Sequence, residues 1–194
     1  MKLGIMQPYF FPYLGYFQLL TAVDRWIVFD DTQFVHRGWV NRNRVLHPNP
    51  EKEWQYLTVP LAKKSREEKI CNLHIQDERD WRAELLGKLS AYRKAPHYHS
   101  TLELVRKCLD VSETALTPLL VRSLRGVARH LGFEPRIEVQ SEITLEPISV
   151  DHPGQWALRL CEQLGAACYI NPVGGAAIFR QDEFDAAGSE LLFL

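Results

Sequence analysis

Three stretches of this chain bring together side chains that could hold or transform a small polar molecule. The first is Gln7-Pro-Tyr-Phe-Phe-Pro-Tyr-Leu-Gly-Tyr-Phe-Gln-Leu-Leu20, with two prolines, one glycine and six aromatic rings. Proline fixes φ and removes a backbone donor, and glycine admits a close approach to the backbone. The pattern reads as a rigid aromatic loop that opens a helix after a first strand. Gln7, Tyr9, Tyr13 and Tyr16 are its polar candidates, since a phenol offers a flat stacking face and a hydroxyl. The bland alternative is an aromatic mini-core under a helix.

The second stretch runs from Asp30 to Arg44. Paired acids, Asp30 and Asp31, stop the apolar run Trp26-Ile-Val-Phe29, and His36, Arg37, Asn41, Arg42, Asn43 and Arg44 follow. In an extended backbone Asn41 and Asn43 point one way, and Arg42 and Arg44 the other. Two neighbouring guanidiniums make a clamp for phosphate or carboxylate, because each bonds with a planar fork. Asp30 or His36 is the candidate acid–base group. The competing reading is a solvated hairpin face whose arginines pair with nearby acids.

The third is Tyr169-Ile-Asn-Pro-Val-Gly-Gly175, where Asn171, Gly174 and Gly175 follow a short apolar run. Such a turn is either a backbone nest for an anion or a plain tight turn.

The elements that must position these residues follow from periodicity. Leu3–Met6 and Trp26–Phe29 read as buried strands around a helix over 12–23. Trp39–Leu46 and Trp54–Val59 read as a hairpin, 63–69 as a charged loop, and Ile70–Ile75 as another strand. Helical spacing dominates 77–131, with Asp77 and Asp80 available to start the first helix and Gly132 to end the last. Then come a strand at 136–139, a helix at 154–164, a strand at 168–170 and an apolar terminal piece at 191–194. Strands alternating with helices predict an α/β, Rossmann-like parallel sheet with an inserted hairpin and a helical annex over about 77–131, all in one domain spanning 1–194.

Bulk properties narrow the function classes. The chain has 194 residues, 46% apolar and 24% charged, enough for a sizeable core. A net charge of −1 disfavours bulk attraction to nucleic acid or anionic membranes. No apolar run is long enough to span a bilayer, and no signal-peptide pattern follows Lys2. Cys71, Cys108, Cys161 and Cys168 lie far apart among apolar neighbours, which predicts reduced, buried thiols and a cytoplasmic protein without zinc. His97 and His99 have no accompanying carboxylate or cysteine cluster, so no metal site is predicted.

Taken together, Gln7–Leu20, Val28–Asp31, Gly38–Arg44 and Tyr169–Gly175 resemble the WbqC-like protein family over nearly the whole chain. The resemblance implies a role in building or decorating bacterial surface polysaccharide, including O-antigen. Phe11–Leu20 is also similar to the opening of HIGH-motif nucleotidyltransferases, with Tyr13-Leu-Gly-Tyr16 standing where His-x-Gly-His would be. There imidazoles stabilise the transferring phosphate, whereas phenols are neutral at pH 7. The expectation is a transferase acting on a small-molecule substrate, with a sugar nucleotide or an activated acyl donor. The alternative is a non-catalytic nucleotide- or sugar-binding or assembly protein on the same fold. Residue types name no cofactor.

Overall fold

The computed structural model describes residues 1–194. Strand β1 (Lys2–Met6) leads to helix α1 (Leu14–Thr21) and strand β2 (Arg25–Val28), and a hairpin follows from β3 (Arg42–Leu46) and β4 (Trp54–Thr58). Helices α2 (Trp81–Lys88), α3 (Tyr98–Leu109) and α4 (Leu116–His130) fill the middle of the chain. The last part alternates: β5 (Ile137–Val139), α5 (Gln155–Leu164), β6 (Cys168–Asn171), α6 (Gln181–Ala186) and β7 (Glu190–Phe193). No helix is long and apolar enough to cross a membrane.

The chain divides into two compact units. The first comprises Met1–Gln7, Tyr13–Phe29 and Glu134–Leu194; the second comprises Pro8–Pro12 and Asp30–Phe133. The first unit is an α/β body around a five-stranded sheet ordered β5-β2-β1-β6-β7, with every neighbouring pair parallel. Ranked along the chain, its strands run third, second, first, fourth, fifth, the Rossmann-like order of doubly wound sheets. Leu3, Ile5, Ile27, Leu158, Leu160, Tyr169 and Phe184 form its core. Near-continuous burial along β2 and β6 fits strands covered on both faces.

The second unit joins the antiparallel β3–β4 hairpin to the three middle helices. Phe10, Phe34, Val40, Leu57, Ile70, Trp81, Leu109, Leu116 and Leu120 share its core, so hairpin, opening loop and helices pack as one body. Asp80 caps α2 by accepting a hydrogen bond from the Ala83 amide at 3.0 Å.

Two local expectations change. Pro12 lies outside the first turn of α1, where Tyr13 takes the cap position. Ile70–Ile75 is not a sheet strand: a short 3-10 turn covers Ile70–Asn72, and isolated bridges pair Leu61 with Ile75 and His74 with Ala115. Ile70, Leu73 and Ile75 are buried in the core of this unit, and a short apolar-rich run of this kind reads as a strand in sequence.

Charge reinforces the sheet between β2 and β5. Arg25 Nε donates to Glu138 at 2.9 Å, and Arg136 Nε donates to the same carboxylate at 2.9 Å. The Arg25 hydrogen bond chiefly holds the Glu138 carboxyl below its usual range. A depressed folded-state value means that this stabilisation is complete above the ordinary carboxylate range and disappears as pH falls through the folded value. Glu138→Gln is therefore expected to lower stability at neutral pH and to shrink the loss on acidification, measured by urea denaturation across pH. An unchanged acid limb would contradict this.

Candidate functional site

In the first unit, the strand order reverses between β1 and β6, and both strands end on the same edge of the parallel sheet. Gln7 leaves β1 there, and Asn171 ends β6 there. In open α/β sheets ligands occupy this crevice, outside the carboxyl ends of the strands at the switch point. Helix α1 begins at Leu14, after Tyr13 in extended conformation (φ −63°, ψ 161°). No side chain caps it, and no acidic residue occupies its first turn. An uncapped helix start presents backbone N–H groups and a positive dipole end.

Tyr13 is 57% exposed, and its ring lies against Gly15, where a Cβ would come within 2.7 Å of it. The glycine thus lets an open phenol ring fold back onto the first helical turn. Tyr16 differs from the expectation of a ligand-stacking tyrosine. It is fully buried, its ring lies 4.9 Å from Trp26, and its hydroxyl donates to the Gln7 carbonyl at 3.0 Å. Helical spacing turns position 16 into the core while leaving position 13 outside. Tyr16 consequently positions the strand exit.

Asn171 is also buried, with its amide donating to the Tyr169 hydroxyl at 2.5 Å. A Cβ on Gly175 would approach Asn171 Oδ1 to 2.3 Å, so glycine is required for close packing. Neither Gly174 nor Gly175 adopts positive φ, and Val173–Ile178 winds as a 3-10 turn. A nest alternates right- and left-handed residues, and this turn has no left-handed one. Burial pushes the Tyr169 phenol well above its ordinary range.

His152 and Glu183 escaped the sequence reading. His152 Nε2 lies 2.9 and 3.0 Å from the two Glu183 oxygens, and Nδ1 accepts from the Gly154 amide at 3.2 Å. Gln155 Nε2 donates to Glu183 at 3.2 Å. With both ring nitrogens engaged, the imidazole ties the start of α5 to α6. The available signal was a histidine in a Pro-Gly turn ahead of an amphipathic helix.

In the second unit, the remaining candidates serve distinct ends. Tyr9 packs half-buried against the core. Asn43 Nδ2 donates to the carbonyls of Phe10 (3.1 Å) and Phe11 (2.5 Å), and Phe11 holds φ at 46°, unusual for a residue with a side chain. Asn41 Nδ2 donates to the Val59 carbonyl at 2.9 Å, closing the hairpin base. Both asparagines are positioning residues.

Arg42 and Arg44 do share one face: their Cζ atoms lie 4.1 and 5.7 Å from the Tyr56 ring. Their donors are engaged differently. Arg42 spends donors on the carbonyls of Gly38 (3.1 Å) and Arg37, where Arg37 sits at φ 63°.

Asp30 is fully buried, and its carbonyl accepts from the Cys71 amide at 3.0 Å. Asp31 pairs with Lys69 Nζ at 2.6 Å, which raises the ammonium's affinity for its proton. Lys69 had no distinguishing signal inside its charged loop. Cys71 faces Asp31 at 3.9 Å, correcting its expected apolar setting; burial first, then Asp30 and Asp31, push its thiol up and disfavour a nucleophilic thiolate. The other three cysteines are buried. His36 is exposed, 5.4 Å from the Phe34 ring.

The sequence model of the WbqC-like protein family matches residues 7–194, and the chain belongs to that family. The chain is also 28% identical over 186 residues to "Uncharacterized protein Rv1507c" of Mycobacterium tuberculosis, covering 95% of this chain and 78% of that protein. No solved structure matches.

Asn43 generates a direct stability test. Asn43→Ala strips the amide from two adjacent backbone carbonyls, one on a residue with unfavourable φ. The expected loss is about 1–3 kcal/mol in denaturant unfolding. An unchanged midpoint would show that this amide does not hold the opening loop.

Proposed function

We propose that this member of the WbqC-like family binds a phosphorylated small molecule, a sugar nucleotide by preference, at the carboxyl edge of its parallel sheet and transfers a group from it during bacterial surface-polysaccharide assembly. The observation that carries the reading is the reversal of strand order between β1 and β6 beside an uncapped helix start. The amides of the first turn of α1 would receive the anionic phosphates, as helix N-termini do. The exposed Tyr13 ring would stack a sugar or base. The polysaccharide setting comes from the family resemblance.

A second reading, a binding or assembly protein without turnover, is favoured by Tyr16. It occupies the place of the second histidine in HIGH-type enzymes, yet its phenol is buried and bonded to a backbone carbonyl. That hydroxyl is not presented to a transferring phosphate. The nucleotidyltransferase likeness supports the fold more than that chemistry.

Binding and turnover separate the two readings. A sugar nucleotide at about 100 times its Kd is expected to raise stability by about 2.7 kcal/mol, seen as a higher Tm. Tyr13→Ala should weaken binding by about 0.5–1.5 kcal/mol while leaving the unliganded Tm nearly unchanged. Nucleotide release in the presence of an acceptor supports transfer; saturable binding without release supports the assembly reading. Equal affinity of wild type and Tyr13→Ala would reject this site.

A further inference from the structure

We infer that the β3–β4 hairpin of the second unit carries an oxyanion-binding site centred on Arg44, which takes the phosphate of a small ring-bearing molecule. This inference is independent of the site proposed on the parallel sheet.

Cross-strand register creates the feature. Arg44 pairs with Tyr56, and Leu46 with Trp54, so Arg42, Arg44, Trp54 and Tyr56 occupy one face of the two-stranded sheet. Arg44 Cζ lies 4.2 Å from the Trp54 ring centre, 5.3 Å from Trp39 and 5.7 Å from Tyr56. Three rings therefore fix one guanidinium by cation–π contact. Cation–π contact draws on the charge of the group and uses none of its N–H groups as hydrogen-bond donors to oxygen. Arg42 provides the contrast. It stacks on the same Tyr56 ring but directs its donors to backbone carbonyls. Arg44 is exposed, and its side chain contacts these rings without donating a hydrogen bond.

An exposed arginine normally loses considerable rotamer freedom when it grips a ligand. Here the rings have already ordered the side chain, which lowers that cost. A planar fork then matches an oxyanion in two contacts. Trp39 and Trp54 remain 38% and 40% exposed beside it, offering apolar surface to a ring attached to the anion. Sugar and base rings can both use that surface, so the shared chemistry is a ring bearing an anionic group. The chain's net charge of −1 and the single free fork favour a small ligand over a polyanionic strand.

Tryptophan fluorescence titration of the full chain with glucose 1-phosphate, AMP, methyl glucoside and a single-stranded oligonucleotide tests this. Glucose 1-phosphate, AMP or both should bind saturably and methyl glucoside should not; which phosphate binds identifies the ring. Arg44→Ala should weaken that binding at least tenfold and Arg44→Lys severalfold, each with only a small drop in Tm from the lost ring contacts. Tyr13→Ala should leave the Arg44-dependent component intact, separating this surface from the sheet-edge site. Trp54→Phe keeps a ring beneath the arginine and serves as a milder second variant, with intermediate affinity expected. Binding unaffected by Arg44→Ala, equal binding of methyl glucoside, binding of the oligonucleotide alone, or no binding of either phosphate would overturn the inference.

Discussion

Strand β1 is paired on both sides, and this double pairing organises the first unit. Its backbone meets β2 from Leu3 to Met6 and β6 at Lys2 and Leu3, both in parallel. Buried backbone donors and acceptors must be satisfied, so a strand bonded on both flanks has little freedom to slip. Leu3 and Ile5 send their side chains into the core at the same time. Once β1 is fixed, the chain must leave at Gln7, at the place where the strand order reverses. The hydroxyl of Tyr16 then secures that exit by binding the Gln7 carbonyl.

Much of the first unit was legible because its signals are local. Apolar runs marked β1, β2 and β6, and the aromatic Pro-Gly stretch marked the start of α1. Roles within that stretch were less legible. Tyr13 and Tyr16 are the same residue type, three positions apart, yet one is open and the other fully buried. Composition cannot separate them; only the phase of the helix against Trp26 does. Residues 70–75 mislead for a related reason, since a short run of buried apolar residues serving a helical core looks in sequence like a short strand. The His152–Glu183 contact joins residues far apart in sequence and left only a weak turn signal.

The hairpin shows that residues sharing one face need not share one role. Arg42 and Arg44 do lie on one face, as alternation requires. The partners decide the outcome, and they come from elsewhere in the chain. The left-handed turn at Arg37 presents carbonyls that consume Arg42, whereas Trp39, Trp54 and Tyr56 order Arg44 without using its donors. Asn43, between them, holds the opening loop. Strand β3 thus supplies two side chains that bind backbone carbonyls, Arg42 and Asn43, and one guanidinium that does not.

The central claim is that a ligand sits at the switch point of the parallel sheet. The most direct measurement is amide shift mapping of isotope-labelled protein titrated with the sugar nucleotide that most raises its Tm. A ligand at the switch point should produce the largest changes at the Leu14 and Gly15 amides and across Val173 to Gly175. Perturbations absent from those amides and confined to residues 30–133 would contradict it.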